Sequence, residues 1–427
     1  MDVATVTGQA LRVAVLADDL TGAGDTVVQF AQRGWSSFLQ RTAEVPPLPA
    51  VAAVGQSLNT RALPGSEAAA RTRDATRVQL DAGVTRLYLK IDSTMRGSVA
   101  AQLAGALEAW RTVHPGAFVV LCPAYPAMGR TIHDGRLWVN GAALEDSPAG
   151  SDPVTPMRTS VFTELVPGAA VVPAGNAAEL IAAITAAERA HDVVVVEATD
   201  QAALDTLAEV VAQLGAQALP AGSAGLALAL ADAWRPQDAS SAPVPVPQIG
   251  GPILLLRTSA NAVSRRQVSC LIESLPPASC AALSPTLADL ADDASAESWI
   301  EQLHVALPKP GLLVLEAPIE RIAGASLVDA SRRVARIMAA AVAAIVARER
   351  VRTLILLGGD GADATLDALS VKNLRVIRNI VEGVPVAENL ANGEQKLVVV
   401  TKAGGFGDEN TLLTVVRWLR GDLSEIS

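Results

Sequence analysis

The sequence predicts an α/β protein of two domains, each with a largely parallel sheet flanked by helices, and an active site in the interdomain cleft. Three observations predict it. Short, nearly continuous apolar runs rich in Val, Ile and Leu recur along the chain. Each leads through a turn into an Ala/Leu-rich pattern of helical period, and one proline-rich break divides the series. Strands without polar alternation must be buried on both faces, which helices on either side of a parallel sheet provide.

In chain order, strands are expected at Val13 to Leu16, Leu87 to Ile91, Phe118 to Leu121, Val193 to Val196, Ile253 to Leu256, Leu312 to Leu315, Leu354 to Leu357 and Leu397 to Val400. Arg130 to Pro156 departs from the alternation. Asn140-Gly141, between Trp138-Val139 and Ala142, is a favourable two-residue hairpin turn, so an antiparallel excursion is expected there. Arg235 to Pro252 holds five prolines without periodicity and reads as an extended linker. The expected division is residues 1–235, a linker at 236–252, and residues 253–427.

Half of the 427 residues are hydrophobic and 18% are charged, enough apolar material for full cores. The formal charge is -10, and basic runs interleaved with aromatics are absent, which argues against nucleic acid as a partner. No basic stretch followed by an apolar one opens the chain. The most apolar helical stretch, Ile337 to Val346, is far short of the ~20 residues a bilayer requires. A cytoplasmic protein with no membrane partner is expected, its oligomeric state open to a homo-oligomer. Cys122, Cys270 and Cys280 form no CxxC, so neither a disulfide framework nor a thiolate zinc site is indicated. The four histidines lack metal-ligand spacing, His133 reads as a solvated loop residue, and metal ligands stay unassigned.

Candidate chemistry lies where strands end, because ligands of open parallel sheets bind beyond the carboxyl edge. Asp18 and Asp19 close the first strand; carboxylates there can accept hydrogen bonds from a polyol, act as general base or bind Mg²⁺, although one could simply cap the next helix. The second run ends in Lys90, Asp92, Ser93 and Arg96. Lysine is scarce in this chain, five in all, so Lys90 with Arg96 reads as a clamp for a carboxylate or phosphate and Ser93 as an added hydroxyl. The plainer alternative is a Lys90–Asp92 ion pair. Three later strands each run into a turn suited to nucleotide phosphate: Ser259 and Asn261 in the first, Gly358, Gly359, Asp360 and Gly361 in the second, and Gly404 in the third. No GxxxxGK[ST] is present, and no GxGxxG follows the first strand. Gly222-Ser223 reads as a helix-start packing motif.

ADDLTGAGDT, KIDSTMRGS, GGDGADATLDAL and TKAGGFGDE, in that order, resemble the four-carbon acid sugar kinases, which phosphorylate D-threonate, D-erythronate or 3-oxo-tetronate with ATP. The resemblance implies an N-terminal sugar-acid-binding domain and a C-terminal nucleotide-binding domain. It puts Asp18, Asp19, Lys90, Asp92, Ser93 and Arg96 at the acid, and Ser259, Gly358 to Gly361 and Gly404 at ATP. The expected catalytic set is Asp19, Asp92 and Lys90; the base is one of Asp18, Asp19 and Asp92, with Asp19 favoured because the strand alternation of Val13, Val15 and Ala17 points it differently from Asp18, and Mg²⁺ is assumed from the chemistry of ATP. The chain departs from the family pattern in three places. Asp360-Gly361 stands where Glu-Thr is usual, Thr258-Ser259-Ala260-Asn261 where Gly-Ser-x-Ser is usual, and Gly24 where Asn is common. Two alternatives accompany this reading. One is a catalytically weakened sugar-acid-binding protein. The other is a ribokinase-like sugar kinase, suggested by Gly22-Ala23-Gly24-Asp25 but disfavoured by its position after the first strand, where Asp25 reads as a first-turn helix acid.

Overall fold

The computed structural model describes residues 11–41, 51–152, 155–235, 251–303, 311–318, 327–349, 351–390 and 396–423. The chain divides into two compact units, Met1–Pro243 and Val244–Ser427. Most of the expected linker, 236–250, lies outside the described residues.

The first unit runs β1 (Leu11–Ala17), α1 (Leu20–Gln32), β2 (Ser36–Gln40), β3 (Val51–Ser57), α2 (Gly65–Asp81), β4 (Arg86–Lys90), α3 (Val99–Trp110) and β5 (Phe118–Cys122). A small antiparallel sheet follows, β6 (Arg130–His133), β7 (Arg136–Val139) and β8 (Ala142–Ala143). The chain then resumes with α4 (Phe162–Leu165), β9 (Ala170–Val172), α5 (Ala177–Ala187), β10 (Val193–Val196), α6 (Gln201–Leu214), β11 (Ala218–Gly222) and α7 (Ala224–Ala233). Eight strands pair in parallel in the order β2-β3-β1-β4-β11-β5-β10-β9. The predicted excursion is the β6–β8 sheet, with Asn140 and Gly141 both at positive φ, 51° and 80°, as a tight hairpin turn requires.

The second unit runs β12 (Ile253–Arg257), α8 (Ala262–Glu273), β13 (Cys280–Leu283), α9 (Asp293–Gln302), β14 (Leu312–Glu316), α10 (Leu327–Glu349), β15 (Thr353–Leu357), α11 (Gly359–Ala368), β16 (Asn373–Val381), β17 (Val384–Asn389), β18 (Val398–Lys402) and α12 (Thr411–Leu419). Its sheet has the order β13-β14-β12-β15-β18-β17-β16. The first five strands are parallel, while the β16–β17 hairpin is antiparallel. One face of the sheet packs Ile253, Leu255, Ile355, Leu357, Val398 and Val400 against Val268 and Leu271 of α8 and Leu412, Val415 and Val416 of α12.

The α/β reading and the dominance of parallel pairing hold in both units. The strands that periodicity did not mark are β2, β3, β9, β11, β13, β16 and β17. Central β11 (ALPAG) carries Pro and Gly, residues that argue against a strand, and its burial between β4 and β5 overrides that weak propensity.

Candidate functional site

In the first unit β1 is the switch point of the sheet, with β3 on one side and β4 on the other. Three loops therefore leave one carboxyl edge together: Asp18-Asp19 after β1, Asn59 to Arg61 after β3, and the segment after Lys90 of β4. Asp18 is fully buried and takes a fork from Arg61, Nε to Oδ2 at 2.8 Å and Nη2 to Oδ1 at 2.9 Å. Arg61 Nη1 also donates to Asp19 Oδ2 at 2.8 Å, and Nη2 lies 3.9 Å from Asp92 Oδ1. One guanidinium thus gathers the carboxylates of two strand ends.

Asp19 is the N-cap of α1, its Oδ1 accepting from the Gly22 N–H at 2.7 Å, while the Thr21 hydroxyl donates to Oδ2 at 2.8 Å. The acid that caps α1 is thus also one that Arg61 holds. Asp92 is taken by Arg96 rather than by Lys90: Nε donates to Oδ2 at 2.7 Å and Nη2 to Oδ1 at 3.0 Å, with the Thr94 hydroxyl also on Oδ2. Arg96 Nη1 binds Asp152 at 2.9 Å, so its fork is occupied by protein carboxylates rather than open to a ligand. Ser93 is buried beside this pair. Lys90, also buried, donates to the Ile91 carbonyl at 2.7 Å, and a Cβ on Gly22 would stand 3.1 Å from its Nζ.

The electrostatics follow from this wiring. Burial raises the Asp18 carboxyl, with Asp19 adding to the effect and Arg61 opposing it. Burial also pushes Asp19 upward, but Arg61, Lys90 and the bonds from Thr21 and Gly22 outweigh it and leave Asp19 below its usual range. Asp92 is held well below that range because Arg96 and Arg61 overcome its burial. Asp19 and Asp92 are therefore ionised hydrogen-bond acceptors at neutral pH. Lys90 is a buried cation whose hydrogen bond goes to a carbonyl instead of a carboxylate. Asp25 corrects an expectation: it lies in the second turn of α1, buried, and that helix has no acidic residue in its first turn.

In the second unit β12 is the corresponding switch point, between β14 and β15. Arg257, Leu357 and Lys402 are in register at the ends of adjacent β12, β15 and β18, so the three turns named from the sequence stand side by side. Gly358 has φ 109° and caps α11 without a side-chain bond. Its left-handed backbone lets the turn pass close to Thr258 and Ser259. A Cβ on Gly404 would collide with the Ser259 hydroxyl, and one on Gly361 with the Thr258 side chain. Ser259 Oγ accepts from the Asn261 N–H at 3.2 Å, and the Asn261 side chain caps α8. Ser264 of α8 binds the Gly404 carbonyl at 2.6 Å, tying the third turn to the first. The hydroxyl absent at Gly361 stands on Thr258, in the space that a side chain at 361 would occupy. Asp360 lies in the first turn of α11, exposed.

Arg61 and Asp152 were not singled out from the sequence, and Thr258 stood there only as a member of the 258–261 turn. Arg61 follows the run Val51–Ser57, whose Ala and Gly content hides a strand; recognising β3 would have drawn attention to Asn59-Thr60-Arg61. His133 lies on β6, stacked on Trp138 with centroids 4.9 Å apart, outside the first unit's constellation.

A family model described as a sugar-binding N-terminal domain matches residues 13–230, and one described as a nucleotide-binding C-terminal domain matches residues 254–412. The chain is 35% identical over 418 residues to D-threonate kinase of Bordetella bronchiseptica, covering 96% of this chain and 97% of that one. It is 27% identical over 420 residues to 3-oxo-tetronate kinase of Methylobacterium radiotolerans, covering 93% and 97%. A solved Salmonella typhimurium LT2 protein described as a putative tRNA synthase shares the fold with TM-score 0.76 and 24% identity, covering 95% and 99%. Among the described residues no helix is long and apolar enough to cross a membrane.

Proposed function

Because the chain belongs to the four-carbon acid sugar kinase family, we propose that it transfers the γ-phosphoryl group of ATP to a hydroxyl, the terminal one, of a four-carbon sugar acid. D-threonate is the first substrate to test, as the relative sharing 35% identity carries that name. The observation that supports the reading best is the wiring of the first switch point. Arg61 and Arg96 are engaged by Asp18, Asp19, Asp92 and Asp152, whereas buried Lys90 bonds a carbonyl. A buried lysine that bonds a carbonyl, set beside ionised hydroxyl acceptors, suits a ligand that has a carboxylate and several hydroxyls.

In this reading residues 1–235 bind the acid, 236–252 link, and 253–427 bind the nucleotide. Lys90 meets the substrate carboxylate and Ser93 a hydroxyl. Asp92 and Arg96 frame the pocket, Asp18 holds Arg61 in place, and Asp19 accepts the proton of the attacking hydroxyl. The depressed Asp19 is a weak base, which suffices because phosphoryl transfer depends chiefly on positioning and on neutralising charge. Ser259, Gly358, Gly359, Gly361 and Gly404 cradle the phosphates. Mg²⁺ enters with the nucleotide as part of that substrate, with Asp360 the nearby acid. Among the described residues no cluster of three His, Cys, Asp or Glu forms a metal site of its own. In-line transfer needs donor and acceptor enclosed together away from water, and a cytoplasmic location belongs to the proposal.

Coupled detection of ADP over D-threonate, D-erythronate and 3-oxo-tetronate tests the activity; silence with all three refutes it. Calorimetric titration tests the residues: Asp92→Asn and Arg96→Ala should lose the acid while keeping ATP. The altered 258–261 and 358–361 turns support one alternative, a sugar-acid-binding protein with weakened catalysis. That protein would bind the acid tightly and release no ADP.

A further inference from the structure

Lys402 closes β18 with only 1% of its surface exposed, one of the largest fully buried side chains of the chain. By strand alternation it shares the face of Val398 and Val400, so its aliphatic stem lies on the face covered by α8 and α12. Its ammonium makes one hydrogen bond, to the Ala403 carbonyl at 2.9 Å, and among the described residues no carboxylate pairs with it. Arg257, two strands away in the same register row, shows how the fold treats a buried cation it means to neutralise. It binds Glu316 at 2.6 Å and the carbonyls of Ser259 and Ala317 at 2.8 and 3.0 Å. Lys402 has no such partner, and burial pushes its pKa down to about 7. A buried, unneutralised ammonium weakens the fold unless a ligand supplies the missing charge. The turn it opens runs directly into Gly404, which touches Ser259, and the Lys402 carbonyl itself accepts the Gly358 N–H at 3.2 Å. The three turns contribute hydroxyls and backbone but, beyond Lys402, no uncommitted cation among the residues described above.

We propose that Lys402 is the phosphate-binding cation of the second unit, neutralised by the bound nucleotide rather than by the protein. This rests on the nucleotide reading of the three turns. It makes Lys402 a binding residue that the free protein carries at the expense of stability. Removing its charge should therefore stabilise the free chain and weaken nucleotide binding together, whereas a residue serving the fold alone would lose stability.

The experiment measures ATP, adenosine and D-threonate binding by calorimetry, with thermal midpoints, for the parent, Lys402→Met and Lys402→Gln. Glutamine keeps a donor for the Ala403 carbonyl without the charge, and stands in should the methionine variant misfold. The expected result is an ATP Kd raised at least ~10-fold, as for loss of a charge-assisted hydrogen bond, with adenosine and D-threonate affinities unchanged and a midpoint equal to or above the parent's. ATP affinity kept in either folded variant, an equal loss of ATP and adenosine, or a lowered midpoint in both variants would overturn the assignment. A parent that binds no ATP at all would instead overturn the nucleotide reading itself, taking this inference with it.

Discussion

Lys90 and Lys402 occupy equivalent places in the two units. Each is the last residue of an interior strand, is buried, and donates to the carbonyl of the next residue, at 2.7 and 2.9 Å. Their surroundings differ. Lys90 stands among carboxylates, contributing to the low pKa of Asp19 and opposing the rise at Asp18. Lys402 stands among glycine turns, with burial as the cause of its depressed pKa. The first unit sets its lysine among carboxylates, so that a ligand meets a cation and hydroxyl acceptors together; in the second, among the described residues, no carboxylate pairs with the lysine and the charge is left to the ligand. A sugar acid with several hydroxyls suits the first design and a polyphosphate the second.

The comparison breaks most sharply at Arg61. Arg61→Met leaves Asp18 buried without its fork, and stability measured by urea unfolding at pH 7 should fall by about 3–5 kcal/mol. A loss below about 1 kcal/mol would show that the carboxylates do not depend on it. Next comes pH. The Lys402 ammonium has a folded pKa of about 7 against an ordinary 10.5, so between those values the unfolded chain binds more protons and stability should rise with pH. Below about 7 the penalty is complete. The swing is on the order of a few kcal/mol, and Lys402→Met should flatten it. On the acid side the first unit dominates. Asp19 and Asp92 have lowered folded values, so their contribution is present above about 3.8 and is lost as pH falls through those values. Unfolding scans from pH 2 to 10 on parent and variant would check both limbs.

A smaller effect sharpens the second unit alone. Gly361→Thr should collide with Thr258 and weaken ATP binding, and adding Thr258→Gly should restore much of it, a coupling of about 0.5–3 kcal/mol in a double-mutant cycle. Additive losses would refute the fitted pair. Smallest, and following edge strand β9 of the first unit, Asn176→Ala removes the capping box with Glu179 at the start of α5 and should cost ~1 kcal/mol by urea unfolding, with both ligands bound as before.

Much of the site was legible because strand ends carry recognisable chemistry. Asp18, Asp19, Lys90, Asp92 and Arg96 follow runs whose apolar character is plain, and the 258–261, 358–361 and 404 turns follow three more. Arg61 was hidden because β3 is Val51–Ser57, a run softened by Ala and Gly, and β11 because Pro220 sits within it. The capping reading of Asp19 and a place beside the other strand-end acids looked like rivals in the sequence; Oδ1 accepts from the Gly22 N–H and Oδ2 from Arg61, so one carboxylate does both.

By itself the sequence determined the α/β alternation, the hairpin at Asn140-Gly141, and which loops carry charge or glycine, because these are set by local period and residue type. Only the tertiary structure decided which cations are spoken for. Arg96 and Arg257 are closed by carboxylates brought from Asp152 and Glu316, while Lys90 and Lys402 bond carbonyls alone. A charge's availability depends on which strands become neighbours in the sheet, and residues far apart in the chain become partners through strand order rather than through any pattern within one segment.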